Sequence, residues 1–349
     1  MTDTSHAPET APHSPSSAPP SKQVAATRSG TAVRLLESYA LVAITVAVAV
    51  FFAMTPPASA AFTSINNINV VLGNNAVVTL LALAALFPLV CGFFDFSLGA
   101  TAVFCSVLCA GLQARSGLPL WLAVLVPMLV AVVIGLVNGL FVTRFKMSPF
   151  VTTLGMATLL SGITIWFSAG TTFVLEGSSP LIAFGSRRLL GLPVVFLVVL
   201  LIAVVVWYFF QHTPYGRSLY AIGSNSASAR LVGVRVDRSV WVAFVASAAI
   251  SGAAGVLLLA RQGSATAVDG GSLLFPALAA VFLGATAITP GFFNVVGTLI
   301  SAIFVSIAVS GLTLMGAQGW ATNVFNGMAL LVAVALSTYL GRRKLRGRS

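Results

Sequence analysis

Two stretches of the chain, Gly191–Phe210 and Val240–Ala260, run for twenty and twenty-one residues without a single charge. An α-helix needs about 20 apolar residues to cross the hydrocarbon core of a bilayer. Inside that core every backbone N–H and C=O must find its partner within the chain, so runs like these cross as helices or do not cross at all. The constraint extends along nearly the whole sequence: 7% of the 349 residues are charged, whereas a soluble domain carries about 25%. The expected class is an all-α, polytopic integral membrane protein.

Ten apolar runs divide the chain. The first is Leu36–Met54 and the second Ile68–Val90; the third follows a polar interruption at Cys91–Gly99 and reaches Gln113. Pro119–Phe141, Phe150–Ser168 and Gly191–Phe210 are the fourth to sixth, and Val240–Ala260 is the seventh. The eighth, Ser272–Ala287, is short, as for a span that is broken or enclosed by protein. Phe292–Ser310 and Ala321–Leu340 complete the set.

Lys and Arg accumulate on the cytoplasmic side of such proteins. With ten spans and both termini cytoplasmic, 14 of the 18 basic residues fall inside, and Arg115, Arg187, Arg188 and Arg261 are the four outside. Nine or eleven spans would leave one basic end on the wrong side. The net charge of +11 therefore follows from topology and does not mark a nucleic-acid surface, since no aromatic residues interleave with the basic ones. Residues 1–34, rich in Ala, Pro, Ser and Thr, cannot bury apolar surface and are expected to form a disordered cytoplasmic tail. Residues 35–340 form the membrane domain, and 341–349 a basic cytoplasmic tail. Ala58-Ser59-Ala60 imitates a cleavage site, but more than thirty residues precede the first apolar run, so an uncleaved first span is expected. Cys91, Cys105 and Cys109 have no CxxC pairing and no supporting His, and are read as packing residues without disulfide or metal.

One polar stretch, Gln211–Ser239, stands between the sixth and seventh runs. It sets Arg217, Arg230, Arg235 and Arg238 against a single acid, Asp237. Ser224 or Asn225 can cap a short helix through Ser226, Ala227, Ser228 and Ala229, and Gly233 can end it. A basic loop of this kind either fixes topology and touches anionic lipid, or carries a helix that docks on a partner. A second polar feature lies at membrane depth. Asp95 is the only acid between Glu37 and Glu176, and it is either functional or a cap of the third span assisted by Ser97. Asn138, in the fourth run, either bonds a neighbouring helix or faces a solute.

A weak internal repeat adds to this picture. Gly139–Ala157 and Gly311–Ala329 share their ends at an offset of 172 residues, and Gly99 and Gly271 stand at the same offset. Five spans separate equivalent points, so spans two to five and seven to ten would form an inverted repeat.

The loop segment GRSLYAIGSNSASARLVGVRV, Gly216–Val236, resembles the cytoplasmic loop of the membrane subunits of bacterial ATP-driven sugar importers of the ribose, xylose, galactoside and autoinducer-2 type. CGFFDFSLG, Cys91–Gly99, resembles the TGGIDLSVG signature of the same permeases: Gly92, Asp95, Ser97 and Gly99 match, while Phe93 replaces the second glycine and Phe94 stands where Ile is usual. The Asn138–Phe150 turn is similar too. Leu283–Ala302 matches at Gly284, Thr286, Gly291, Val295, Val296, Gly297 and Thr298, but places Phe292 and Phe293 where the family has Arg and Gly.

The resemblance implies that the helix of Asn225, Ser226, Ala227, Ala229, Arg230 and Gly233 docks into a groove on a separate ATPase subunit. It also implies a second permease copy or homologue and an extracytoplasmic binding protein. ATP would be used by the partner, and no cofactor is expected on this chain. No GxxxxGK[ST] phosphate loop, GxSxG, HExxH or dinucleotide fingerprint occurs. An ATP-driven sugar permease of the bilayer, with Asp95, Ser97, Asn138 and Asn294 on the substrate path, is the expectation. Permeases for branched-chain amino acids belong to the same wider superfamily and keep the substrate open. An ion-coupled secondary carrier is the alternative of another class, although it would ordinarily hold more intramembrane charge than Asp95.

Overall fold

A computed structural model describes residue 2 and residues 29–346 apart from 57, 268 and 269, with side chains described from 38 to 337. Of the expected disordered tail, residues 29–34 are helical as the start of α1, whereas the part before residue 29 apart from residue 2, the last three residues of the basic tail and Asp269 lie outside the described residues.

Fourteen helices and four two-residue strands follow in order among the described residues: α1 Ser29–Met54, α2 Ser59–Phe62, α3 Ile65–Val90, α4 Leu98–Ala114, α5 Leu120–Thr143, α6 Pro149–Ser168, β1 Phe173–Val174, α7 Pro180–Ser186, β2 Arg188–Leu189, β3 Leu192–Pro193, α8 Val194–His212, α9 Pro214–Ser224, α10 Ser226–Leu231, α11 Val236–Gln262, β4 Ser264–Ala265, α12 Gly271–Gly284, α13 Val295–Leu314 and α14 Gly319–Arg346. Seven helices among the described residues are long and apolar enough to cross a membrane: α3, α5, α6, α8, α11, α13 and α14. Shorter apolar helices stand at the first, third and eighth expected spans, and α12, with fourteen residues, is as short as its sequence suggested.

Burial sorts the helices into centre and rim. The apolar window of α3 is 67% buried and that of α11 is 61%, against 6% for α14, so α3 and α11 form the middle of the bundle. A helix that is apolar all round is enclosed by protein or faces lipid, and α3 is of the first kind, buried without interruption from Thr79 to Val90. Between membrane helices there is no hydrophobic driving force, and close backbone approach through small residues takes its place. The α5–α11 contact follows that rule, with Gly135 against the backbone of Phe244 and Val245, and Gly252 against Ala131. Trp241 Nε1 donates to the Leu136 carbonyl at 3.0 Å across the same contact.

α3 and α11 run in opposite directions. The side chain of Arg261, at the end of α11, lies against Gly73 near the start of α3, while Val90 at the end of α3 meets Gly223 in α9. One end of the bundle thus carries α9 and α10 and is called the loop end here. The far end carries the antiparallel pair β1–β4, with Phe173 opposite Ala265. Arg115 lies there, donating to the Phe167 carbonyl at 2.7 Å and sitting 4.6 Å from the centre of the Phe173 ring.

The order long, interrupted, long, long in α3–α6 recurs in α11–α14. The two interrupted members touch at their first turns. A Cβ at Gly99 would come within 2.0 Å of the Gly270 carbonyl oxygen, so only glycine permits this approach of α4 to the start of α12.

Candidate functional site

α3 ends at Val90, two residues past Pro88, and the chain does not become helical again until Leu98. In that gap Asp95 turns into the bundle. Its Oδ1 accepts from the Ser97 backbone N–H at 2.9 Å and from Ser97 Oγ at 2.6 Å. Ser247 Oγ, on α11, donates to Oδ2 at 3.5 Å. Asn138 Nδ2, on α5, donates to Ser97 Oγ at 2.9 Å. The Phe96 N–H reaches Thr153 Oγ1 on α6 at 3.0 Å, and that hydroxyl donates in turn to the Pro149 carbonyl at 2.8 Å. Three helices distant in sequence are therefore bound to one interruption.

Asp95, Ser97 and Asn138 are all buried, and every partner of the carboxylate among the described residues is neutral. An acid at this depth meets the cost of burial by hydrogen bonding alone. Asn138 Oδ1 is the one buried acceptor of the group left without a partner.

Asn294 does different work. It is the N-cap of α13, with Oδ1 accepting from the Gly297 N–H at 2.6 Å. Its Nδ2 donates to the carbonyls of Gly284, Ala287 and Phe292 at 3.2, 3.0 and 3.2 Å. The side chain closes the α12–α13 connection on itself. Among the described residues it shares no hydrogen bond with Asp95, Ser97 or Asn138.

At the loop end, α9 begins at Pro214 with Thr213 as its cap, and Asn225 caps α10 by accepting from the Ser228 N–H at 3.0 Å. Gly233, at φ +87°, ends the segment in the left-handed conformation expected of a glycine there. Tyr220 of α9 donates to the Phe293 carbonyl at 2.8 Å; burial pushes its phenol up to about 12, so it remains a donor at neutral pH. Asp237 Oδ1 accepts from Lys146 Nζ and Arg230 Nη2, each at 2.9 Å. The loop thereby reaches the α5–α6 turn through Lys146, the α12–α13 connection through Phe293, and the end of α3 through Gly223.

A family model for the permease component of branched-chain amino acid transport systems matches residues 68–334, a range that includes the interruption, the loop and Asn294. The chain belongs to this permease family. The ribose import permease protein of Bacillus subtilis is 34% identical over 262 residues, covering 75% of this chain and 81% of that protein. The ribose import permease protein of Haemophilus influenzae is 29% identical over 314 residues, 89% of this chain and 96% of that one. The autoinducer 2 import system permease protein of Escherichia coli strain HS is 31% identical over 273 residues, 76% and 82% of the two chains. No solved structure matches the chain.

In this permease three of the four residues expected on the substrate path come together: Asp95, Ser97 and Asn138. Asn294 stands apart with both of its polar atoms engaged. The loop helix forms where it was expected, and of the six residues expected to dock, Asn225, Ser226, Ala227, Arg230 and Gly233 are exposed while Ala229 is not. Ala229 is buried against the chain's own core at 3% exposure and presents no docking surface, because the helix lies with that side on the bundle. The outward residues that sequence reasoning missed are Leu231 and Val232, 89% and 79% exposed. Two large apolar side chains at the tip of a polar loop were the available signal. α9 was missed as well, although Thr213 followed by Pro214 is a helix-start pattern.

Proposed function

We propose that this permease is the membrane subunit of an ATP-binding-cassette importer, passing a small sugar delivered by an external binding protein and driven by a separate ATPase. Ten spans with both ends in the cytoplasm, arranged as an inverted repeat of spans two to five and seven to ten, place the loop end on the cytoplasmic side. Two permease subunits enclose the path. The sugar class rests on the relatives' names, and branched-chain amino acids, named by the family, are the nearest other cargo.

The observation that carries the reading is the loop. Leu231 at the end of α10 and Val232 after it point outward, and the loop at their base is tied through Asp237 to the α5–α6 turn and through α9 to the α12–α13 connection and the end of α3. A partner that grips the exposed tip moves all three at once. ATP binding and hydrolysis in that partner would alternately open the bundle to either side. Asp95, Ser97 and Asn138 hold the interruption in register, and the Oδ1 of Asn138, fully buried in this arrangement, would become an acceptor for a solute hydroxyl when that movement opens the network.

The decisive test is Leu231→Asp in the reconstituted complex. It is expected to abolish co-purification of the ATPase and substrate-stimulated ATP hydrolysis while the permease itself stays folded, since the side chain touches little of its own chain. One observation favours a second reading: Asp95 is a buried carboxylate with no cationic partner among the described residues, as in a proton-coupled carrier. Uptake into vesicles that follows a proton gradient and ignores ATP would establish that reading instead.

A further inference from the structure

α3 carries five asparagines, and four of them are accounted for. Asn67 accepts from Ser310 Oγ at 3.1 Å and Asn75 donates to the Ala302 carbonyl at 3.0 Å, both on α13, while Asn66 and Asn74 are exposed. Asn69 is the exception. It is 3% exposed, and neither its Oδ1 nor its Nδ2 has a hydrogen-bond partner among the described residues. It begins the buried stripe Asn69, Gly73, Ala76, Val77 and Leu80, whose spacing is that of one helix face, and its neighbours Ile68 and Val70 are exposed.

That face meets the last turn of α11. A Cβ at Gly73 would lie 2.9, 3.0 and 3.1 Å from Nε, Cζ and Nη2 of Arg261, so the guanidinium is laid across the glycine. Its backbone is held from behind, because Gly185 of α7 packs so closely on the Ala260 carbonyl and the Arg261 N–H that a Cβ there would come within 1.9 and 3.0 Å of them. Residues four apart on a helix stand about 5–6 Å apart at Cβ, which sets the Asn69 amide beside the guanidinium. Arg261 Nε is buried without a partner, and Arg261 makes no ion pair among the described residues. Arg115, at the same end of the bundle, is provided for: it donates to the Phe167 and Ser168 carbonyls and lies over the Phe173 ring.

Buried polar atoms are paired with few exceptions, and here a cation and an amide stand side by side with donors to spare. Arg261 is half-buried, so part of the residue can still be reached. It lies at the end where Trp121, at the start of α5, and Trp166, near the end of α6, are 65% and 80% exposed. Tryptophan gathers at the membrane–water boundary, a level that both dissolved ions and lipid headgroups reach.

We propose that Arg261 and Asn69 form an oxyanion site, which takes a phosphate or carboxylate group between the far ends of α3 and α11. The site goes beyond the importer reading and does not depend on it. The fork of guanidinium donors matches two oxygens of such a group, and the Asn69 amide adds a third donor or accepts from a hydroxyl beside it. A dissolved anion and a phospholipid headgroup bring the same chemistry.

The experiment uses the full-length permease in an uncharged detergent, with inorganic phosphate as the probe and chloride at matched ionic strength as the reference. Melting is followed together with equilibrium dialysis of radiolabelled phosphate. In the wild type the midpoint is expected to rise by about 3 °C at saturating phosphate. Arg261→Gln is expected to bind phosphate about tenfold more weakly and to lose that rise. Asn69→Asp places a carboxylate of the chain's own beside Arg261, so it is expected to melt at least as high as the wild type and to ignore phosphate. Phosphatidylglycerol and phosphatidylcholine, added in equal amounts, separate the sources. A rise with phosphatidylglycerol alone, lost in Arg261→Gln, assigns the site to an anionic headgroup; a rise with phosphate assigns it to a dissolved anion. A wild type that responds to neither, or a response that Arg261→Gln retains, overturns the site. Should Arg261→Gln fail to fold, Asn69→Asp decides: a midpoint below the wild type with the phosphate response intact would mean that Arg261 is merely solvated.

Discussion

Asp95 and Asn294 are both buried polar residues at interrupted membrane helices, and they hold those interruptions in opposite ways. The Asp95 network draws on Ser247, 152 positions away, and through Ser97 on Asn138, 41 positions from that serine. Asn294 finds every partner within ten positions. The first arrangement exists only once α4, α5, α6 and α11 are packed together. The second can form as soon as its own stretch of chain folds. A local clasp travels with its helices as one piece, and Tyr220 connects that piece to the loop through the Phe293 carbonyl. A long-range network instead registers how helices stand relative to one another. If the bundle alternates between two arrangements, as proposed above, strain is expected to gather at Asp95 and to pass rigidly through Asn294.

The largest expected effect tests the long-range side of that contrast. Asp95→Ala leaves the Ser97 N–H, the Ser97 hydroxyl and the Ser247 hydroxyl without their acceptor. Each unsatisfied buried group costs about 1–3 kcal/mol, so a loss of about 3–6 kcal/mol is expected after partial relaxation. In detergent the variant should melt well below the wild type, and ATP-driven uptake should vanish. Asp95→Asn keeps one oxygen in place and should retain roughly half of that stability. A wild-type melting temperature for Asp95→Ala would make the network decorative and end the contrast.

The same contrast explains what was legible in the sequence. Spans could be placed because length and the absence of charge are one-dimensional properties: Gly191–Phe210 was expected and α8 runs Val194–His212. Caps could be placed because they are local, and Asn225 and Gly233 stand where capping chemistry put them. The partners of Asp95 could not be read, since nothing at position 247 announces a neighbour at position 95. The face of α10 could not be read either. Six residues give no hydrophobic period, and whether Ala227 or Ala229 turns inward is decided by the bundle beneath.

Asn294 tests the local side, with a smaller effect. Asn294→Ala removes the cap of α13 and frees three carbonyls in the connection that follows α12. Loss of an N-cap costs about 0.5–2 kcal/mol, and the carbonyls of the buried Gly284 and Ala287 lose a donor besides. Faster amide exchange is expected at Gly297 and Thr298, with exchange in α5 and α11 unchanged. Asn294→Asp keeps the acceptor for Gly297 but not the donations, and should recover the cap alone. Exchange that spreads into α5 or α11 would show that the clasp is not local, and the two interruptions would then be held alike.

The smallest effect concerns the charged contact that links the loop to the α5–α6 turn. Asp237 accepts two cations on one oxygen, but the three side chains are 48–62% exposed. Exposed ion pairs are worth about 0–1 kcal/mol and weaken as salt rises. Asp237→Asn should therefore leave the melting temperature nearly unchanged. Its effect belongs to coupling, because Lys146 and Arg230 sit on different elements and only Asp237 makes them move together. Substrate-stimulated ATP hydrolysis is expected to fall by about twofold, as befits a contact of that size. It should also lose the part of its salt dependence that the wild type shows below about 0.5 M, where screening has not yet removed the pair. If the variant kept both the full rate and the full salt dependence, the loop would be transmitting through packing at Gly223 and the Tyr220 hydrogen bond, and the charged contact would only shape the surface.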